Sequence, residues 1–409
     1  MKSCKRCLFD ETIEDCFIRE NGICNYCFRH DMLEREYPNN DDGKKILDKI
    51  VTEIKEHGSN NKYDCVIGIS GGCDSSYLLD FCFKSGLRPL AVHFNNGWDT
   101  EIAKHNMTCM CNKLNIDFID YSVEPKEMND IFRAFLLSGV IDIDAPTDIG
   151  LITALYKVAH DNGIKYIVEG HSFRTEGIQP LSWAYVDGKY ISDVHKKYGS
   201  IPMKTYPNLW MKDFIRWVCI DKIKRVRPLY YLDYNKKQVK HYLKEKYDWK
   251  DYSSHHCEND FTRFNYDFFL RQKVQIDERV NEYSALIRSG QMNRNEALNL
   301  ITVNVKCSTE LIEKIKIRLN ISDNQFEEIM SNPIRTYHDF KTYKRFFILT
   351  RPLWFILYKA GIVPKSFYLK YCFKNFAQWN WITTKKILEI LSLEFFRIFI
   401  KIRIALYLI

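Results

Sequence analysis

The chain has 409 residues, 46% of them hydrophobic, and a formal net charge of +8. It is long enough for two or three structural units, and it holds no run of about 18 uncharged apolar residues, which argues against a membrane-spanning helix. Residues 331–409 carry 14 Lys/Arg and three Asp/Glu, so the remaining chain is near −3, a balance that argues against nucleic acid as its main substrate.

The N-terminal segment is rich in cysteine. Cys4 and Cys7 form one C-x-x-C pair and Cys24 and Cys27 form another, with sixteen residues between the pairs. This spacing is typical of a zinc ribbon, in which four thiolates close the shell of a structural Zn²⁺ ion; an iron–sulfur cluster is the alternative. The first 30 residues contain no apolar signal segment, so we expect a cytoplasmic protein.

Strands alternate with helices in the next part of the chain. Short apolar runs predict strands over residues 63–70, 89–94, 116–121 and 165–169. Helices are predicted over residues 41–58, 75–85, 101–114, 128–138 and 148–162. This alternation predicts βαβ units and an α/β fold with a Rossmann-like parallel sheet. Ligands of such sheets bind at the carboxyl ends of the strands.

A glycine-rich segment joins the first predicted strand to a helix. Its sequence, SGGCDSS over residues 70–76, matches the SGGxDS signature of PP-loop ATP pyrophosphatases, which release pyrophosphate from ATP. Glycines let backbone N–H groups approach phosphate, and the following helix N-terminus favours negative charge. The predicted ATP-binding residues are Ser70, Gly71, Gly72, Asp74, Ser75 and Ser76. Asp74 can also hold Mg²⁺.

Polar segments follow two later strands and should reach the same edge of the sheet. His93 and Asn95 follow the second strand, and Gly170 follows the strand that ends at Glu169. We expect these three residues to contact the adenine or ribose of ATP, with ordinary loop polarity as the alternative.

The remainder of the chain differs in composition. Residues 236–330 are predicted to be mostly helical, with a capping box formed by Ser322 and Gln325. Residues 331–409 are basic and aromatic. The predicted organisation is a zinc ribbon over 1–40, a PP-loop domain over 41–235, a helical substrate or partner region over 236–330, and an extension over 331–409.

The motifs along residues 1–330 resemble those of the bacterial N-acetyl-sugar amidotransferases of surface-polysaccharide (LPS O-antigen) and flagellar-sugar synthesis. The resemblance is carried by CKRCLFD, GICNYC, VIGISGGCDSSYL, VHFNNGWDT, DAPTDIG, KYIVEGHSFRTEG, HHCENDFTRFN and SGQMNRNEAL. SGGxDS alone indicates only the superfamily, whereas the cysteine pattern and the HCE…TRF segment point to this family.

The resemblance implies a reaction. ATP would adenylate the amide oxygen of an N-acetyl group on a nucleotide-activated sugar and release pyrophosphate. Ammonia would then displace AMP and leave an acetamidino group. AMP is a far better leaving group than an amide oxygen, and the site must exclude water to protect the intermediate.

The resemblance also assigns roles to residues. Asp74, His256 and Glu258 are the expected catalytic group, with His256 and Glu258 positioning substrate or moving a proton. The expected substrate-binding residues are Asp148, Arg174, Glu176 and Arg263. Arg174 and Glu176 follow the strand that ends at Glu169 and should face the cleft, where Arg174 could grip a phosphate or carboxylate of the sugar nucleotide. For Asp148 the alternative is a helix cap; for Arg263 it is a structural role.

The chain shows no glutaminase signature of its own. Position 2 is Lys2, and no G-x-C-x-G elbow is present. The resemblance therefore implies separate partners, a glutaminase and a cyclase-like ammonia-channel subunit.

Three other functions remain open at this point, one of which, a GMP-synthetase-like or NAD-synthetase-like activity, lacks a convincing substrate site for a purine or deamido-NAD. A tRNA-thiolating PP-loop enzyme shares the loop and the ribbon, but would use a C-x-x-C pair where this chain has Cys109-Met110-Cys111. The basic, aromatic residues 331–409 also suit a protein that contacts a membrane surface and uses ATP only structurally. Within them, residues 385–409 predict an imperfectly amphipathic helix, and Arg351-Pro352 should interrupt any helix over 346–358.

Overall fold

The computed structural model describes residues 2–13, 15–180, 183, 185–252, 258–303 and 307–373. Two compact units are present, Met1–Lys341 and Thr342–Ile409. His256 and the predicted helix over 385–409 lie outside the described residues. The finer division at residues 40, 235 and 330 stays a prediction.

The first unit is built on a five-stranded sheet whose pairs are all parallel. The strands are β1 (Cys65–Gly68), β2 (Pro89–Asn95), β3 (Phe118–Ser122), β4 (Tyr166–Val168) and β5 (Lys224–Val226), in the order β3-β2-β1-β4-β5. Val66 of the central β1 pairs with Leu90 on one side and Ile167 on the other. The predicted α/β class with a Rossmann-like parallel sheet is confirmed.

Fourteen helices are described in this unit. They are α1 (Asn25–Glu36), α2 (Asp41–Gly58), α3 (Cys73–Lys84), α4 (Glu101–Leu114), α5 (Pro125–Ser138), α6 (Ala145–Asp161), α7 (Gly188–Tyr198), α8 (Met211–Ile215), α9 (Lys236–Tyr247), α10 (Asp260–Phe264), α11 (Arg279–Arg288), α12 (Arg294–Thr302), α13 (Thr309–Arg318) and α14 (Asp323–Ser331). π-Helical turns follow α8 and α10, over Arg216–Ile220 and Asn265–Val274.

Hydrophobic side chains cover both faces of the sheet, as a parallel sheet requires. One cluster joins Ile67 of β1 to α2, α3, α4 and α9. The other joins Phe94 of β2 to α5, α6, α7, α10, α13 and α14. The carboxyl ends of the strands are thereby left as the edge at which side chains from many elements meet.

Two helices begin earlier than their apolar patterns predict. α5 begins at Pro125 and α6 at Ala145, and each has a proline in its first turn, where the missing N–H costs nothing. Asp148 is therefore not the cap of α6, because the capping position belongs to Asp144. The predicted capping box of Ser322 and Gln325 is confirmed at α14.

The second unit contains α15 (Lys344–Leu349), α16 (Arg351–Lys359) and α17 (Lys365–Cys372). The predicted interruption is present, since α15 ends at Leu349, two residues before Arg351, and Pro352 lies in the first turn of α16. Phe347, Trp354 and Phe367 pack ring against ring in its core. Among the described residues, no helix is both long enough and apolar enough to cross a membrane.

Candidate functional site

The PP-loop connects β1 to α3 at the carboxyl edge of the sheet. Gly71 has φ of +76°, and a Cβ at this position would lie 2.5 Å from the carbonyl oxygen of Ala103 in α4. Both the backbone conformation and the close approach therefore require glycine. Gly72 is the capping residue of α3, so the loop ends at a helix N-terminus with free N–H groups and partial positive charge.

Three distant side chains hold the loop by one carbonyl group. The Gly71 oxygen accepts hydrogen bonds from Asn106 Nδ2 at 3.0 Å, Trp249 Nε1 at 3.0 Å and the Tyr252 hydroxyl at 3.1 Å. These bonds fix the peptide plane between Gly71 and Gly72 before any ligand arrives. None of these three residues was predicted to support the loop, because nothing in the local sequence pattern links them to it.

The loop serines also bond within the loop. The backbone N–H of Ser70 donates to Ser75 Oγ at 3.3 Å, and Ser75 Oγ lies 3.2 Å from the Gly72 carbonyl oxygen. The backbone N–H of Ser76 donates to the same carbonyl at 3.1 Å and continues α3. A Cβ at Gly170 would lie 3.3 Å from the Ser75 nitrogen, so the segment after β4 lies directly against the loop, as expected.

Asp74 lies in the first turn of α3. Its carboxylate has two partners, Tyr234 from the segment just before α9 and Lys236 at the start of α9. The Tyr234 hydroxyl donates to one carboxylate oxygen, and Lys236 Nζ lies 3.5 Å from the other. Burial raises the pKa of Asp74, although Lys236 acts in the opposite direction. Burial alone would lower the pKa of Lys236, but Asp74, Glu282 and Glu176 raise it above its ordinary value.

The Lys236 ammonium group is the clearest sign of an anionic ligand. It is buried and makes no hydrogen bond to any described residue. A buried ammonium without hydrogen-bond partners is costly unless a ligand supplies them. Its position beside the first turn of α3 suits the phosphates of ATP. Lys236 was not among the predicted site residues, since a lysine at the start of a polar helix has no distinctive sequence pattern around it.

Three glutamates complete this region. Glu258 approaches the loop closely, because a Cβ at Gly72 would lie 3.2 Å from Glu258 Oε1. Burial raises the pKa of Glu258 and of Glu282, and each also interacts electrostatically with Lys236, Asp74 and Glu176. Oxygen ligands of this kind suit Mg²⁺ bound together with phosphate. The structure thus brings together Asp74 and Glu258 from the predicted catalytic group, with Glu176 beside them.

His93 and Asn95 bond to the protein itself. The His93 ring lies between the Ile69 carbonyl oxygen at 3.1 Å and Asp99 Oδ2 at 2.9 Å. Burial lowers the pKa of His93, but Asp99 outweighs burial and raises it. Asn95 Nδ2 donates to Asp120 on the neighbouring strand at 2.9 Å. His93 thus braces the strand that leads into the loop, and its role in ATP binding stays a prediction.

Arg174 has a different role from the one expected. It is 2% exposed, and its guanidinium donates two hydrogen bonds to Glu34 of α1, at 2.8 and 2.7 Å. It also donates to the carbonyl oxygens of Tyr230 and Tyr37. The prediction that Arg174 faces the cleft and grips substrate is wrong in this structure, because its donors are used to join the cysteine-rich segment to the sheet.

The segment that contains Arg263 joins the loop after β2. Asn259 Nδ2 donates to Asn96 at 2.8 Å, and Asn96 Nδ2 donates to Thr147 at 3.1 Å. Thr147 and Thr262 both donate to Asp144, and burial raises the pKa of Asp144 to about 7. The two expected substrate residues, Asp148 and Arg263, lie near this network. Asp148 is exposed in the first turn of α6, and Arg263 bonds to Asp267 at 3.3 Å.

The four predicted metal ligands meet at one point. Cys4, Cys7, Cys24 and Cys27 are completely buried, and their sulfur atoms all lie within 4.8 Å of one another. Cys4 and Cys27 are 3.8 Å apart at sulfur, and Cys7 and Cys24 are 3.7 Å apart. A tetrahedron with Zn–S bonds of about 2.3 Å has edges of about 3.8 Å, so the four thiolates fit a zinc ion. Cys16 is not part of this group.

An arginine from α11 contacts these thiolates. Arg288 Nη2 donates to Cys7 Sγ at 3.2 Å and Arg288 Nε to Cys27 Sγ at 3.4 Å. A zinc ion with four thiolates carries a net charge of −2, which a buried guanidinium partly offsets. The residues directly after Arg288 contact the nucleotide-loop side of the protein instead of the cysteines. Ser289 Oγ donates to the Arg174 carbonyl oxygen, and Gln291 Nε2 donates to the carbonyl oxygen of Tyr234. Tyr234 is the residue whose hydroxyl bonds to Asp74.

Replacing Arg288 by methionine is expected to weaken zinc binding by about 10- to 100-fold, because the buried thiolates lose their counter-charge. Competition with a chromogenic chelator measures the affinity. Arg294→Met is the matched control, since Arg294 donates to the backbone carbonyl oxygens of Cys7 and Cys4 and, among the described residues, to no cysteine sulfur. Equal affinities in the two variants would contradict the role given to Arg288.

A second group of potential ligands is better explained without a metal. His105, Cys109 and Asp248 lie within 4.8 Å of one another. Cys109 Sγ bonds to the Tyr247 carbonyl, and His105 Nε2 to the Asp248 carbonyl at 3.1 Å. These contacts satisfy the last carbonyls of α9, as helix ends require. Cys111 is buried in the hydrophobic cluster, which raises its pKa to about 12.

Comparison with known proteins gives one family match. Residues 258–353 match the family described as "LPS biosynthesis protein WbpG-like, C-terminal domain". Glu258, Arg263, Glu282 and Arg288 all lie within the matched residues.

Curated relatives match over shorter stretches. The tRNA(Ile)-lysidine synthase of Francisella philomiragia subsp. philomiragia is 33% identical over 93 residues, which are 22% of this chain and 22% of that protein. The tRNA(Ile)-lysidine synthase of Francisella tularensis subsp. tularensis is 28% identical over 88 residues, or 21% of each. The chain therefore spans about a fifth of the length of these relatives.

Solved structures also show similarity. NMN synthetase from Francisella tularensis has 16% identity and a TM-score of 0.31, over 69% of this chain and 95% of that one. The NH3-dependent NAD synthetase from Campylobacter jejuni has 13% identity and a TM-score of 0.32, over 71% and 99%. The fold assignment depends instead on the strand order and the loop. The chain combines a five-stranded parallel sheet that carries an SGGxDS loop with a segment that matches the WbpG-like C-terminal domain of LPS biosynthesis proteins.

Proposed function

We propose that this protein is an ATP-dependent amidotransferase of bacterial surface-polysaccharide (LPS O-antigen) or flagellin-glycan synthesis. It converts an N-acetyl group of a nucleotide-activated sugar into an acetamidino group. The observation that carries the proposal is the meeting of two parts of the chain. Glu258, from the segment that matches the LPS biosynthesis family, lies against the same loop at which Asp74 and the buried Lys236 offer a site for ATP phosphates.

The first half-reaction uses the loop and Lys236. The amide oxygen of the N-acetyl group attacks the α-phosphorus of ATP, and the bond to pyrophosphate breaks. Lys236 and the backbone N–H groups at the start of α3 would stabilise the charge on the departing pyrophosphate. Mg²⁺ held by Asp74 would supply further compensation of phosphate charge.

The second half-reaction replaces AMP by nitrogen. Ammonia attacks the carbon of the adenylated imidate, the bond to AMP breaks, and protons leave the new nitrogen. Glu258 is the described group best suited to accept a proton, since it lies at the loop and burial raises its pKa. His256, expected beside it, lies outside the described residues.

Ammonia would come from a separate glutaminase through a cyclase-like channel subunit. We expect the isolated chain to release pyrophosphate with ammonium salts but not with glutamine. A panel of nucleotide-activated N-acetyl sugars, read by mass, should contain one that becomes lighter by about one unit as N–C=O becomes N–C=NH. Zinc would stay structural, and both ATP and the nucleotide sugar would come from the cytoplasm, where we place the protein.

Two results of this assay would contradict the proposal. Glutamine-driven turnover by the pure chain would show a glutaminase site within it. Pyrophosphate release without any sugar product across the panel would reject the amidotransferase reaction.

A second candidate is favoured by one observation, the match to tRNA(Ile)-lysidine synthases. In that case tRNA, rather than a sugar, would be adenylated or thiolated. The net charge near −3 of residues 1–330 and the buried Cys111 weigh against it. A changed nucleoside mass in tRNA from a deletion strain would favour this candidate.

A further inference from the structure

The two first helices of the second unit expose large apolar side chains. Phe346 and Leu349 of α15 are 41% and 67% exposed, and Leu353 and Ile356 of α16 are 53% and 50% exposed. Single apolar residues on a protein surface are common, but four on two consecutive short helices are not. We call these four residues the outer apolar face.

These side chains fall in pairs on two helices. Phe346 and Leu349 are three residues apart on α15, and Leu353 and Ile356 are three residues apart on α16, so each pair shares one face of its own helix. Thr350 separates the two helices, with φ of −96° and ψ of 16°. Phe347 and Trp354, on the opposite side, are buried in the unit's own core.

The charge around this face has one sign. Residues 342–373 contain no Asp or Glu, and their cations are Lys344, Arg345, Arg351, Lys359, Lys365 and Lys370. Arg351 lies over the Phe373 ring at 5.4 Å, and Lys359 lies over the Tyr358 ring at 5.4 Å. Residues 342–373 therefore carry a net charge of +6, which favours an anionic partner.

The positive charge and the apolar side chains together limit which kind of partner can bind the outer apolar face. A second copy of this chain would place six cations against six others. A nucleic acid would use the cations but leave the apolar side chains in water. The surface of an anionic bilayer satisfies both, with phosphates for the cations and an acyl boundary for the apolar groups.

We propose that α15 and α16 bind the surface of an anionic membrane, with Phe346, Leu349, Leu353 and Ile356 entering the boundary between headgroups and acyl chains. This binding would hold the protein at the membrane without crossing it. The proposal does not depend on the reaction proposed above.

Sedimentation of the full chain with lipid vesicles tests the proposal. We expect binding to vesicles that contain phosphatidylglycerol, little binding to pure phosphatidylcholine, and a fall in affinity of about tenfold when salt rises from about 0.1 to about 0.5 M. The double variant Leu349→Ser/Leu353→Ser should bind anionic vesicles at least about tenfold more weakly. Melting temperature and pyrophosphate release should stay unchanged, because both side chains are exposed.

The matched control is Ile220→Ser/Ile317→Ser, which removes two apolar side chains that are 71% and 76% exposed in the first unit. This control should bind like the unaltered chain. Absence of binding to anionic vesicles at low salt would overturn the proposal. So would equal binding of the two double variants, or a self-associated form of the chain that only the Leu349→Ser/Leu353→Ser variant loses.

Discussion

Replacing Asp74 by asparagine is expected to reduce ATP-dependent pyrophosphate release by about 100- to 1,000-fold or more. The substitution keeps the size of the side chain but removes the negative charge that faces Lys236 and would hold Mg²⁺. The amide oxygen of asparagine can still accept the hydrogen bond from the Tyr234 hydroxyl. The fall in pyrophosphate release should therefore come from the missing negative charge and not from a change in the local shape of the loop.

The stability of this variant separates function from folding. Burial raises the pKa of Asp74, so its ionised form is disfavoured in the folded protein without ligand, and a neutral amide removes that cost. Lys236 loses its counter-charge at the same time, which opposes the gain. We expect the melting temperature to move by no more than about 4 °C.

Asp42→Asn is the matched control for charge, since Asp42 lies in the first turn of α2 with its side chain 76% exposed. Its turnover should equal that of the unaltered chain. Turnover of the Asp74→Asn variant at the same rate would reject the assignment of the loop.

Replacing Cys24 by serine is expected to release the metal and lower the free energy of unfolding by about 4 kcal/mol or more. Loss of one thiolate opens the metal shell and leaves Arg288 as a buried cation beside fewer anions. The cysteine cluster also packs on Phe173 and Tyr230 of the sheet domain, so the damage should extend beyond the ribbon. Metal content per chain and thermal unfolding measure both effects.

Cys16→Ser is the control in the same segment, because Cys16 is buried but lies outside the ligand group. It should keep one zinc per chain. A brown protein that absorbs as an iron–sulfur centre, or a Cys24→Ser variant with full metal content, would contradict the structural zinc.

The sheet was predictable because its strands are short apolar runs. The exception is β5, whose sequence Lys224-Arg225-Val226 has only one apolar residue. Its place at the sheet edge depends on its pairing with β4, which no local pattern reveals. The predicted starts of α5 and α6, at residues 128 and 148, lie three residues too late, because each helix has a proline in its first turn that an apolar pattern does not reveal.

The loop was predictable for a similar reason, because its glycines and Asp74 are consecutive. Its supports were not, since Trp249, Tyr252, Tyr234 and Lys236 come from distant parts of the chain. For Arg174, by contrast, a functional role was predicted that its contacts in the structure do not support. Its position after a strand predicts a cleft residue, but a buried ion pair with Glu34 has no signature in sequence.

The residues from Arg288 to Gln291 have a practical consequence for anyone who prepares this protein. They connect the cysteine cluster to Tyr234 within four positions of the chain. Cells grown in zinc-poor medium are expected to yield a mixture of metal-loaded and metal-free chains, the latter with a poorly supported nucleotide loop. Specific activity should then follow the zinc content of a batch more closely than its protein concentration.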